Sequence, residues 1–318
     1  MSGWGGRWAL GSLAALMLCG PARAEEGGFE FALIGDTPYS AYHRAQLPKI
    51  LDALGAERLE FIIHDGDFKD GSSACSDAVF ADRLAVFNAS AHPFVFVPGD
   101  NEWTDCHRFT AGGFDPLERL AKLREMFFPT PKTLGKRRFA VETQASLQPA
   151  HAEYREHLRW RRGAVLFVTL NVPGSQNNIG SGAEPSAEFV DRSAAVSAWM
   201  KDSFTLARAQ GMKGVVLVMQ ADPDFAAHRK GRPKRGYGDL LNQLAAEVAR
   251  FSGQVMLVHG DSHELTIDQP LRKPGGAVVE NFTRVETFGH PFAGWVQVRV
   301  DERAPMLFTL TPKPWGGD

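Results

Sequence analysis

Four short hydrophobic runs in this chain each lead into a Gly-Asp pair. The pairs are Gly35-Asp36, Gly66-Asp67, Gly99-Asp100 and Gly260-Asp261. An apolar run that stops at glycine predicts a buried strand entering a loop. In open α/β sheets such loops gather at the carboxyl edge, where ligands bind. Four carboxylates held near one edge repel one another, so the pattern predicts a metal centre.

A Gly-Asp pair by itself is a weak signal, because aspartate after glycine is common in turns. Gly238-Asp239 and Gly317-Asp318 follow no predicted strand and are ordinary turns under this interpretation. The prediction of a metal centre therefore rests on four pairs that all follow strands, in a chain with helical patterns between them.

The first 24 residues have the pattern of a cleaved leader. Arg7 supplies a positive start, an apolar stretch runs from Ala9 to Gly20, and Ala22-Arg23-Ala24 is a small-x-small cleavage site. The apolar stretch is too short to span a bilayer as a finished helix. We therefore expect a secreted or periplasmic protein after cleavage near Ala24.

The remaining residues, 25–318, have a length that suits one domain. The formal net charge of the whole chain is −2, and removal of Arg7 and Arg23 makes it more negative. A weakly acidic chain has no general attraction for nucleic acid, so we expect no nucleic-acid partner. No other long apolar segment occurs, so we expect no membrane span. The oligomeric state stays unknown at this stage.

Apolar periodicity predicts alternating strands and helices followed by a β-rich end. An irregular segment at about 128–160, with mixed charge and prolines, is predicted to be an insertion or a lid. Two packed sheets with outer helices would satisfy both parts of the chain. The predicted strands are 29–35, 59–64, 93–98, 164–171, 214–219, 254–259, 277–287, 294–300 and 305–311. The predicted helices are centred on 47–54, 76–90, 117–126, 186–210 and 238–252.

Cys75 and Cys106 are the two cysteines beyond the leader. Each follows an acidic motif by a few residues, so their loops should be neighbours if the motifs converge. An oxidising compartment permits the two thiols to pair. We predict a Cys75–Cys106 disulfide bond that holds the loops after Asp67 and Asp100 in place.

The order of the acidic motifs resembles that of the calcineurin-like metallophosphoesterases. The resemblance covers about residues 29–300 and implies an α/β fold, a four-layer α-β-β-α sandwich of two mixed sheets flanked by helices. It also implies two divalent metal ions and hydrolysis of phosphate mono- or diesters through a metal-activated water. The motifs that carry the resemblance are Asp36, Gly66-Asp67-Phe68-Lys69-Asp70, Gly99-Asp100-Asn101-Glu102, Gln220 and Gly260-Asp261-Ser262-His263.

Three of the implied metal ligands have the residue type of the family's motif. Asp36 matches the first aspartate and His263 matches the last histidine, which bind the same metal in the family. Asp67 matches the aspartate that bridges the two metals.

Other positions depart from the family's motif. Asp100 stands where the family has an asparagine ligand, and Gln220 and Asp261 stand where it has histidines. All three replacements keep an oxygen ligand, which favours Mn²⁺, Mg²⁺ or Ca²⁺ over Zn²⁺. Pro38 replaces a histidine ligand, and Asn101 replaces the histidine that protonates the leaving group in the family. Because asparagine is no general acid at neutral pH, the pattern predicts a remodelled site.

Another group must then assist the leaving oxygen. His64 comes just before the second motif and is predicted to lie close, and His64 and Asn101 are the predicted catalytic residues. His107 and His290 are the other candidates. A structural or surface role is the alternative for each candidate histidine. A substrate whose leaving group needs little protonation is the alternative.

Residues near the motifs are candidates for binding. Asn177 and Asn178, with Ser175, follow the strand predicted at 164–171 and are predicted to touch the substrate, whereas an ordinary loop is the alternative interpretation. Tyr39 lies close after the first motif and is a candidate for the missing ligand. The basic run at 229–235 fits a solvated loop better than a phosphate site.

The sequence therefore predicts a periplasmic, metal-dependent phosphoesterase that acts on a small phosphorylated substrate. The alternative is a non-catalytic protein that captures a phosphorylated ligand through a bound cation. The absence of the usual histidine at Asn101 motivates this alternative.

Overall fold

The computed structural model describes residues 1–2 and 28–316. The predicted leader, residues 1–24, lies outside the described residues apart from Met1 and Ser2, so its cleavage stays a prediction. The strands are β1 (Phe29–Ile34), β2 (Ile62–His64), β3 (Phe94–Phe96), β4 (Glu142–Thr143), β5 (Leu158–Arg162), β6 (Val165–Thr169), β7 (Gly214–Val218), β8 (Gln254–His259), β9 (Thr266–Asp268), β10 (Phe282–Glu286), β11 (Gly294–Val300) and β12 (Phe308–Pro314). The helices are α1 (Ala41–Ala56), α2 (Asp77–Ala89), α3 (Pro116–Phe127), α4 (Gln144–Leu147), α5 (Gly174–Asn177), α6 (Ala187–Ala209), α7 (Phe225–Arg229) and α8 (Gly238–Arg250).

Two mixed sheets pack face to face between layers of helices, which confirms the predicted α/β architecture. The smaller sheet has the strand order β12-β11-β1-β2-β3, and the larger has the order β4-β5-β6-β7-β8-β10-β9. Strands β1, β2 and β3 are parallel, and so are β6, β7, β8 and β10. The carboxyl ends of each parallel set therefore share one edge of their sheet, which is where the acidic motifs begin.

Alternating side chains of β6 face two different hydrophobic cores. Val165 and Phe167 belong to the core between the sheets, together with residues of α1, α2 and α3. Leu166 and Val168 belong to the core under α6 and α8. Successive side chains of a strand point to opposite faces of its sheet, so this pattern places the larger sheet in the interior of the sandwich.

Aromatic rings join the two sheets in the central core. Phe31 of β1 lies 5.2 Å from Phe61, centroid to centroid, and Phe61 lies 5.1 Å from Phe167 of β6. Trp160 of β5 stacks on Phe167 at 5.2 Å. Burial of each such ring contributes about 1.5–3 kcal/mol. Trp160 is accordingly a packing residue.

The segment predicted to be an irregular insertion or lid, at about 128–160, contributes to the larger sheet. It contains β4, α4 and the start of β5, and these strands close one edge of the sheet. Val141 and Leu158 are buried in the central core. The strands escaped prediction because β4 has two residues, too few to show an alternating pattern.

None of the helices within residues 28–316 has the length and apolarity needed to cross a membrane. The β-rich end of the chain divides between the sheets, because β10 pairs with β8 whereas β11 and β12 extend the smaller sheet.

Candidate metal centre

The acidic motifs converge from two sets of neighbouring parallel strands, one in each sheet. Asp36, Asp67 and Asp100 come after β1, β2 and β3, while Gln220 and Asp261 come after β7 and β8. These five side chains are joined by direct contacts or by shared hydrogen-bond partners. The convergence predicted from the Gly-Asp pairs is therefore present in the structure.

The backbone turns sharply at these strand ends. Asp36, Asp67, Asp261 and His263 have φ values of +46°, +59°, +80° and +65°. This left-handed region is uncommon for residues other than glycine. Such conformations cost free energy and cluster at functional sites, where the surrounding structure enforces them.

Glycines before the aspartates let the loops approach one another. A Cβ atom on Gly99 would lie 2.1 Å from Asp67 Oδ1, and one on Gly260 would lie 2.2 Å from Asp36 Oδ2. Real side chains essentially never pack so closely, so any larger residue would push the carboxylates apart. The glycine of each motif is thus a spacing requirement, in addition to ending its strand.

One half of the centre, which we name the Asp36 side, consists of Asp36, Tyr39, His263 and the shared Asp67. The Tyr39 hydroxyl donates to Asp67 Oδ2 at 2.7 Å and lies 3.1 Å from Asp36 Oδ1. His263 Nε2 lies 3.3 Å from the same hydroxyl and 3.6 Å from Asp36 Oδ1. Asp36, Asp67 and His263 therefore meet around the Tyr39 hydroxyl, and all four groups carry oxygen or nitrogen lone pairs.

The other half, the Asp100 side, consists of Asp100, Asp261, Gln220 and Asp67. Gln220 Nε2 donates toward the three carboxylates, at 3.2 Å from Asp67 Oδ2, 3.3 Å from Asp100 Oδ1 and 3.2 Å from Asp261 Oδ1. Its Oε1 accepts from the backbone N–H of Gly174 at 2.6 Å.

This arrangement corrects the prediction that Gln220 supplies an oxygen ligand, because its oxygen faces the backbone and its N–H groups face the carboxylates. The sequence could not show this, since the hydrogen bond from Gly174 comes from a loop 46 positions away.

Glu102 organises the loops around the centre although the sequence analysis gave it no role. Its carboxylate accepts from the backbone N–H groups of Asp67, Phe68 and Gly99 at 3.0, 2.6 and 2.8 Å. The position of Glu102, two residues after Asp100 in the third motif, was the available signal.

Asn101 also holds the bridging carboxylate. Its Nδ2 donates to Asp67 Oδ2 at 2.8 Å and to the Tyr39 hydroxyl at 3.0 Å, and its backbone N–H donates to Asp67 Oδ1 at 3.1 Å. The side chain thus orients Asp67 and Tyr39, which is a different task from the proton donation of the histidine it replaces.

Burial makes the charged forms of these carboxyl groups unfavourable. Desolvation raises the pKa of Asp100 to about 8, with added repulsion from Asp261 and Asp105. Desolvation likewise raises the pKa of Asp36 and of Asp67 well above the ordinary range, and neighbouring carboxylates add to both shifts. Ionised carboxylates at such positions require a partner of opposite charge.

The predicted disulfide bond is confirmed and lies beside the centre. Cys75 and Cys106 are bonded, with their Cα atoms 5.7 Å apart. Both sulfur atoms lie near the carbonyl oxygen of Asn101, at 3.5 and 3.7 Å. The bond therefore braces the loop that carries Asp100 and Asn101.

His64 does not have the surroundings of a catalytic acid, which corrects its prediction. Its Nε2 lies 2.8 Å from the carbonyl oxygen of Thr37, and its Nδ1 accepts from the backbone N–H of Gly66 at 3.2 Å. Burial lowers its pKa to about 4. His64 thus ties two strand-end loops together as a neutral ring with no nitrogen free for a substrate.

The other two histidine candidates differ in position. His107 Nδ1 lies 2.7 Å from the carbonyl oxygen of Thr104, on the protein surface. The ring of His290 stacks on the ring of Tyr39, with centroids 5.8 Å apart. His290 therefore contacts the Asp36 side directly.

Asn177 and Asn178 are structural, which corrects their predicted role in substrate binding. Asn177 accepts from Arg192 at 2.6 Å and donates to the carbonyl oxygen of Gly236 at 2.9 Å, while Asn178 donates to Glu188 at 2.7 Å. Residues 175–178 all have positive φ, so the loop forms a left-handed turn that directs both amides away from the centre. A residue pattern alone gives no sign of this reversal.

Ser175 is the member of this turn that reaches the centre. Its hydroxyl lies 2.8 Å from Asp100 Oδ2 and 2.7 Å from Asp105 Oδ1. Of the three residues predicted in this loop, Ser175 lies beside the carboxylates, and its contact with a substrate stays a prediction.

The donor set suits a divalent cation on the Asp36 side. In the described part of the chain, no lysine or arginine forms an ion pair with Asp36, Asp67, Asp100 or Asp261. Within residues 1–2 and 28–316, no three His, Cys, Asp or Glu side chains enclose an ion by themselves. The Tyr39 hydroxyl lies between Asp36, Asp67 and His263, so its oxygen is available as a further ligand on the Asp36 side.

A solved structure with a TM-score above 0.5 agrees with the fold, and two others are similar at lower scores. A dimetal phosphatase from Danio rerio is similar over 91% of this chain and 97% of its own, with a TM-score of 0.56 and 13% identity. A 5′-nucleotidase from Candida albicans SC5314 is similar over 89% of this chain and 50% of its own, with a TM-score of 0.49 and 10% identity. Phosphopantetheinyl hydrolase from Mycobacterium tuberculosis is similar over 89% of this chain and 96% of its own, with a TM-score of 0.41 and 14% identity.

Sequence comparison gives a more specific result than these remote structural similarities. None of the curated proteins matches the sequence significantly. The model of the calcineurin-like phosphoesterases, by contrast, matches residues 29–265. The match begins with β1 and extends past Asp261 and His263, so it contains every predicted ligand of the metal centre. The chain therefore belongs to the calcineurin-like phosphoesterase family.

Proposed function

We propose that this protein is a metal-dependent phosphoesterase that hydrolyses phosphate mono- or diesters in the periplasm. Family membership supports phosphoesterase chemistry, and divalent metals are typical of the family. The observation that carries the proposal is the convergence of Asp36, Asp67 and Asp100, which are buried after strands of the smaller sheet, with Asp261 after β8 of the larger sheet. Tyr39 and Gln220 join these carboxylates by hydrogen bonds.

The residues of the Asp36 side would hold the cation. A bound divalent ion supplies a Lewis acid for phosphate oxygens and lowers the pKa of a coordinated water. Asp36, Asp67, Tyr39 and His263 present their lone pairs to it, and Asn101 keeps Asp67 in its orientation through the hydrogen bond at 2.8 Å. An oxygen-rich set of this kind favours Mn²⁺, Mg²⁺ or Ca²⁺ over Zn²⁺.

His290 is the residue best placed to supply a proton to the leaving group. It stacks on Tyr39, and its Nδ1 lies 3.2 Å from Nδ1 of the buried His43, so one imidazole of this pair donates a hydrogen bond to the other. A partly exposed histidine at this place can pass a proton to a substrate oxygen.

One member of the basic run at 229–235, which was predicted to be a solvated loop, lies near the Asp100 side and supports a phosphorylated substrate. Lys234 Nζ lies 3.1 Å from Asp222 Oδ2, and the backbone N–H of Asp222 donates to Asp261 Oδ2 at 3.1 Å. The Lys234 side chain is 44% exposed, so it remains accessible to a ligand. A lysine at this place would attract a phosphate group to the carboxylates that would otherwise repel it.

The periplasmic location rests on two features of the chain. The leader pattern of residues 1–24 directs export. A disulfide bond such as Cys75–Cys106 persists in oxidising compartments and is rare in the cytosol. Cell fractionation of the full chain tests this part, because recovery of uncleaved protein in the cytoplasm would contradict it.

An assay with two model substrates tests the activity. Metal-free protein, shown to be folded by circular dichroism, is supplied with Mn²⁺, Mg²⁺, Ca²⁺ or Zn²⁺ and given p-nitrophenyl phosphate or bis-p-nitrophenyl phosphate. We expect turnover with the harder ions and its loss in Asp36→Asn. The matched control is Asp52→Asn, which makes the same change at an exposed position of α1. A folded protein without turnover under all these conditions would refute the proposal.

The second candidate is capture of a phosphorylated ligand without cleavage. It is favoured by Asn101, whose amide bonds Asp67 and Tyr39 where the family has a proton donor. Metal-dependent binding of inorganic phosphate, measured by calorimetry, without turnover of either ester would support this function.

A further inference from the structure

Gln220 gives the two halves of the metal centre different capacities for an ion. The side chain is fully buried. Its Nε2 lies 3.2–3.3 Å from one oxygen each of Asp67, Asp100 and Asp261. These are the carboxylates that would hold an ion on the Asp100 side, so the amide nitrogen lies at the point where they meet.

The orientation of the amide is fixed by its other end. Oε1 accepts from the Gly174 N–H at 2.6 Å. A half-turn of the amide would set its NH₂ group against this N–H and its oxygen against three carboxylates. Both contacts would be repulsive, because donors would face a donor and acceptors would face acceptors. The N–H groups of Gln220 therefore point inward.

An inward amide NH₂ group excludes a cation. It presents two hydrogens and no lone pair for coordination. The neighbouring backbone leaves little space for the side chain to move aside, since a Cβ atom on Gly66 would lie 2.6 Å from Gln220 Cγ and 2.7 Å from Gln220 Cβ.

The Asp36 side has no such obstacle. Its central atom is the Tyr39 hydroxyl oxygen, which has lone pairs and lies within 3.3 Å of Asp36, Asp67 and His263 atoms. A hydroxyl can turn its hydrogen away and become a ligand, whereas an amide nitrogen cannot.

We propose that this protein binds one divalent ion per chain, on the Asp36 side, and that the Gln220 amide takes the place of a second ion on the Asp100 side. The inference rests on the proposed metal-dependent function and departs from the two ions that the sequence resemblance implies. Gln220 is thereby a positioning residue, which holds Asp67, Asp100 and Asp261 together by hydrogen bonds.

Metal stoichiometry tests the inference without reference to activity. Metal-free protein is equilibrated with Mn²⁺, and bound ions per chain are counted by elemental analysis and by calorimetric titration. We expect one ion in the wild type and two in Gln220→His, because imidazole restores a lone pair at this point. Gln210→His is the matched control at an exposed position at the end of α6, and it should bind one ion.

Two further variants identify the side that is occupied. Asp36→Asn should bind no ion at a Mn²⁺ concentration that saturates the wild type, whereas Asp261→Asn should still bind one. Two ions in the wild type would overturn the inference, and so would loss of the single ion in Asp261→Asn but not in Asp36→Asn. The wild-type count decides the question even if a variant fails to fold.

Turnover measured on the same samples separates this inference from the proposed function. Two bound ions with turnover would overturn the inference alone. One bound ion without turnover of any phosphate ester would support the stoichiometry and remove the proposed hydrolytic function.

Discussion

The Asp36 side and the Asp100 side share Asp67 but are closed by different chemical groups. A phenol hydroxyl stands at the centre of the first, and a carboxamide NH₂ stands at the centre of the second. Both groups form hydrogen bonds with the carboxylates around them, yet only the hydroxyl can become a metal ligand. The comparison teaches that the number of acidic residues in a cluster does not determine how many ions the cluster holds.

Removal of the shared carboxylate should have the largest effect. Asp67→Asn takes a ligand from the Asp36 side and an acceptor from the Asp100 side, so both halves lose their common anchor. We expect loss of ion binding and of turnover that exceeds the roughly 10- to 100-fold cost of losing an outer partner of a metal site. Calorimetric titration with Mn²⁺ and the p-nitrophenyl phosphate assay measure the two losses, and retention of either would show that Asp67 does not join the halves.

Loss of the disulfide bond should weaken the fold near the Asp100 side. The bond closes a loop with a sequence separation of 31 residues. Replacing both Cys75 and Cys106 by serine should lower the free energy of unfolding by about 3–4 kcal/mol on the chain-entropy estimate. Urea denaturation measures it, and the wild type in the presence of a reductant is the control. A loss that appears in the variant but not in the reduced wild type would point to packing rather than to the covalent bond.

Substitution of Tyr39 tests most directly whether the Asp36 side and the Asp100 side differ in ion binding. Tyr39→Phe removes the hydroxyl and keeps the ring that stacks on His290. We expect about 10- to 100-fold weaker binding of the ion, because the Asp36 side loses the oxygen at its centre. Ser175→Ala removes a hydroxyl beside Asp100 instead, and it should change the ion affinity much less. Equal losses in the two variants would show that the two sides do not differ.

The stability of the metal-free protein should fall as pH rises from 6.5 to above 8. Burial raises the pKa of Asp100 to about 8 and that of Glu102 to about 7. The folded state thus keeps protons that the unfolded chain has already lost, and this stabilisation disappears as pH passes the folded-state pKa values. Buried histidines such as His64 act in the opposite direction near pH 6.5, because burial lowers the folded-state pKa to about 4 while the unfolded histidine still binds protons. This effect is complete by about pH 7.5, below the folded-state pKa of Asp100.

Thermal unfolding in a chelator at pH 6.5 and pH 8.5 measures this effect. We expect a decrease of several degrees in the melting temperature, a smaller decrease in Asp100→Asn, and an unchanged decrease in Asp52→Asn. Added Mn²⁺ should oppose the decrease, because an ion stabilises the deprotonated carboxylates. A melting temperature that rises with pH in the chelator would contradict the electrostatic description of the centre.

Asn178 should matter least of all. Its side chain bonds Glu188, away from both sides of the centre. Asn178→Gly tolerates the left-handed backbone at this position and should change KM for p-nitrophenyl phosphate by less than about twofold. Steady-state kinetics measures KM, and a tenfold rise would support the predicted contact between Asn178 and the substrate.

The convergence of the acidic motifs could be predicted because an apolar run that stops at glycine marks the end of a strand. Each Gly-Asp pair follows an apolar run that predicts a strand. Parallel strands bring their carboxyl ends to the same edge of their sheet, and the two sheets present these edges side by side. The Cys75–Cys106 bond followed from the same convergence. These predictions needed only the type of element that precedes each residue.

The orientations of side chains could not be predicted in this way. Gln220 turns its nitrogen inward because of one backbone N–H in a distant loop, and the two asparagines turn outward because their loop is left-handed. Both ring nitrogens of His64 form hydrogen bonds with the backbone. Such facts depend on tertiary contacts that no local pattern records.

The bond between Cys75 and Cys106 encloses α2, β3 and the third acidic motif in one covalent ring. Asp100 and Asn101 belong to this ring, whereas Asp36 and His263 lie outside it. The bond therefore restrains the loops that carry Asp100 and Asn101 through a covalent link, whereas Asp36 and His263 are held only by packing and hydrogen bonds. A reductant should consequently act first on the Asp100 side of the centre.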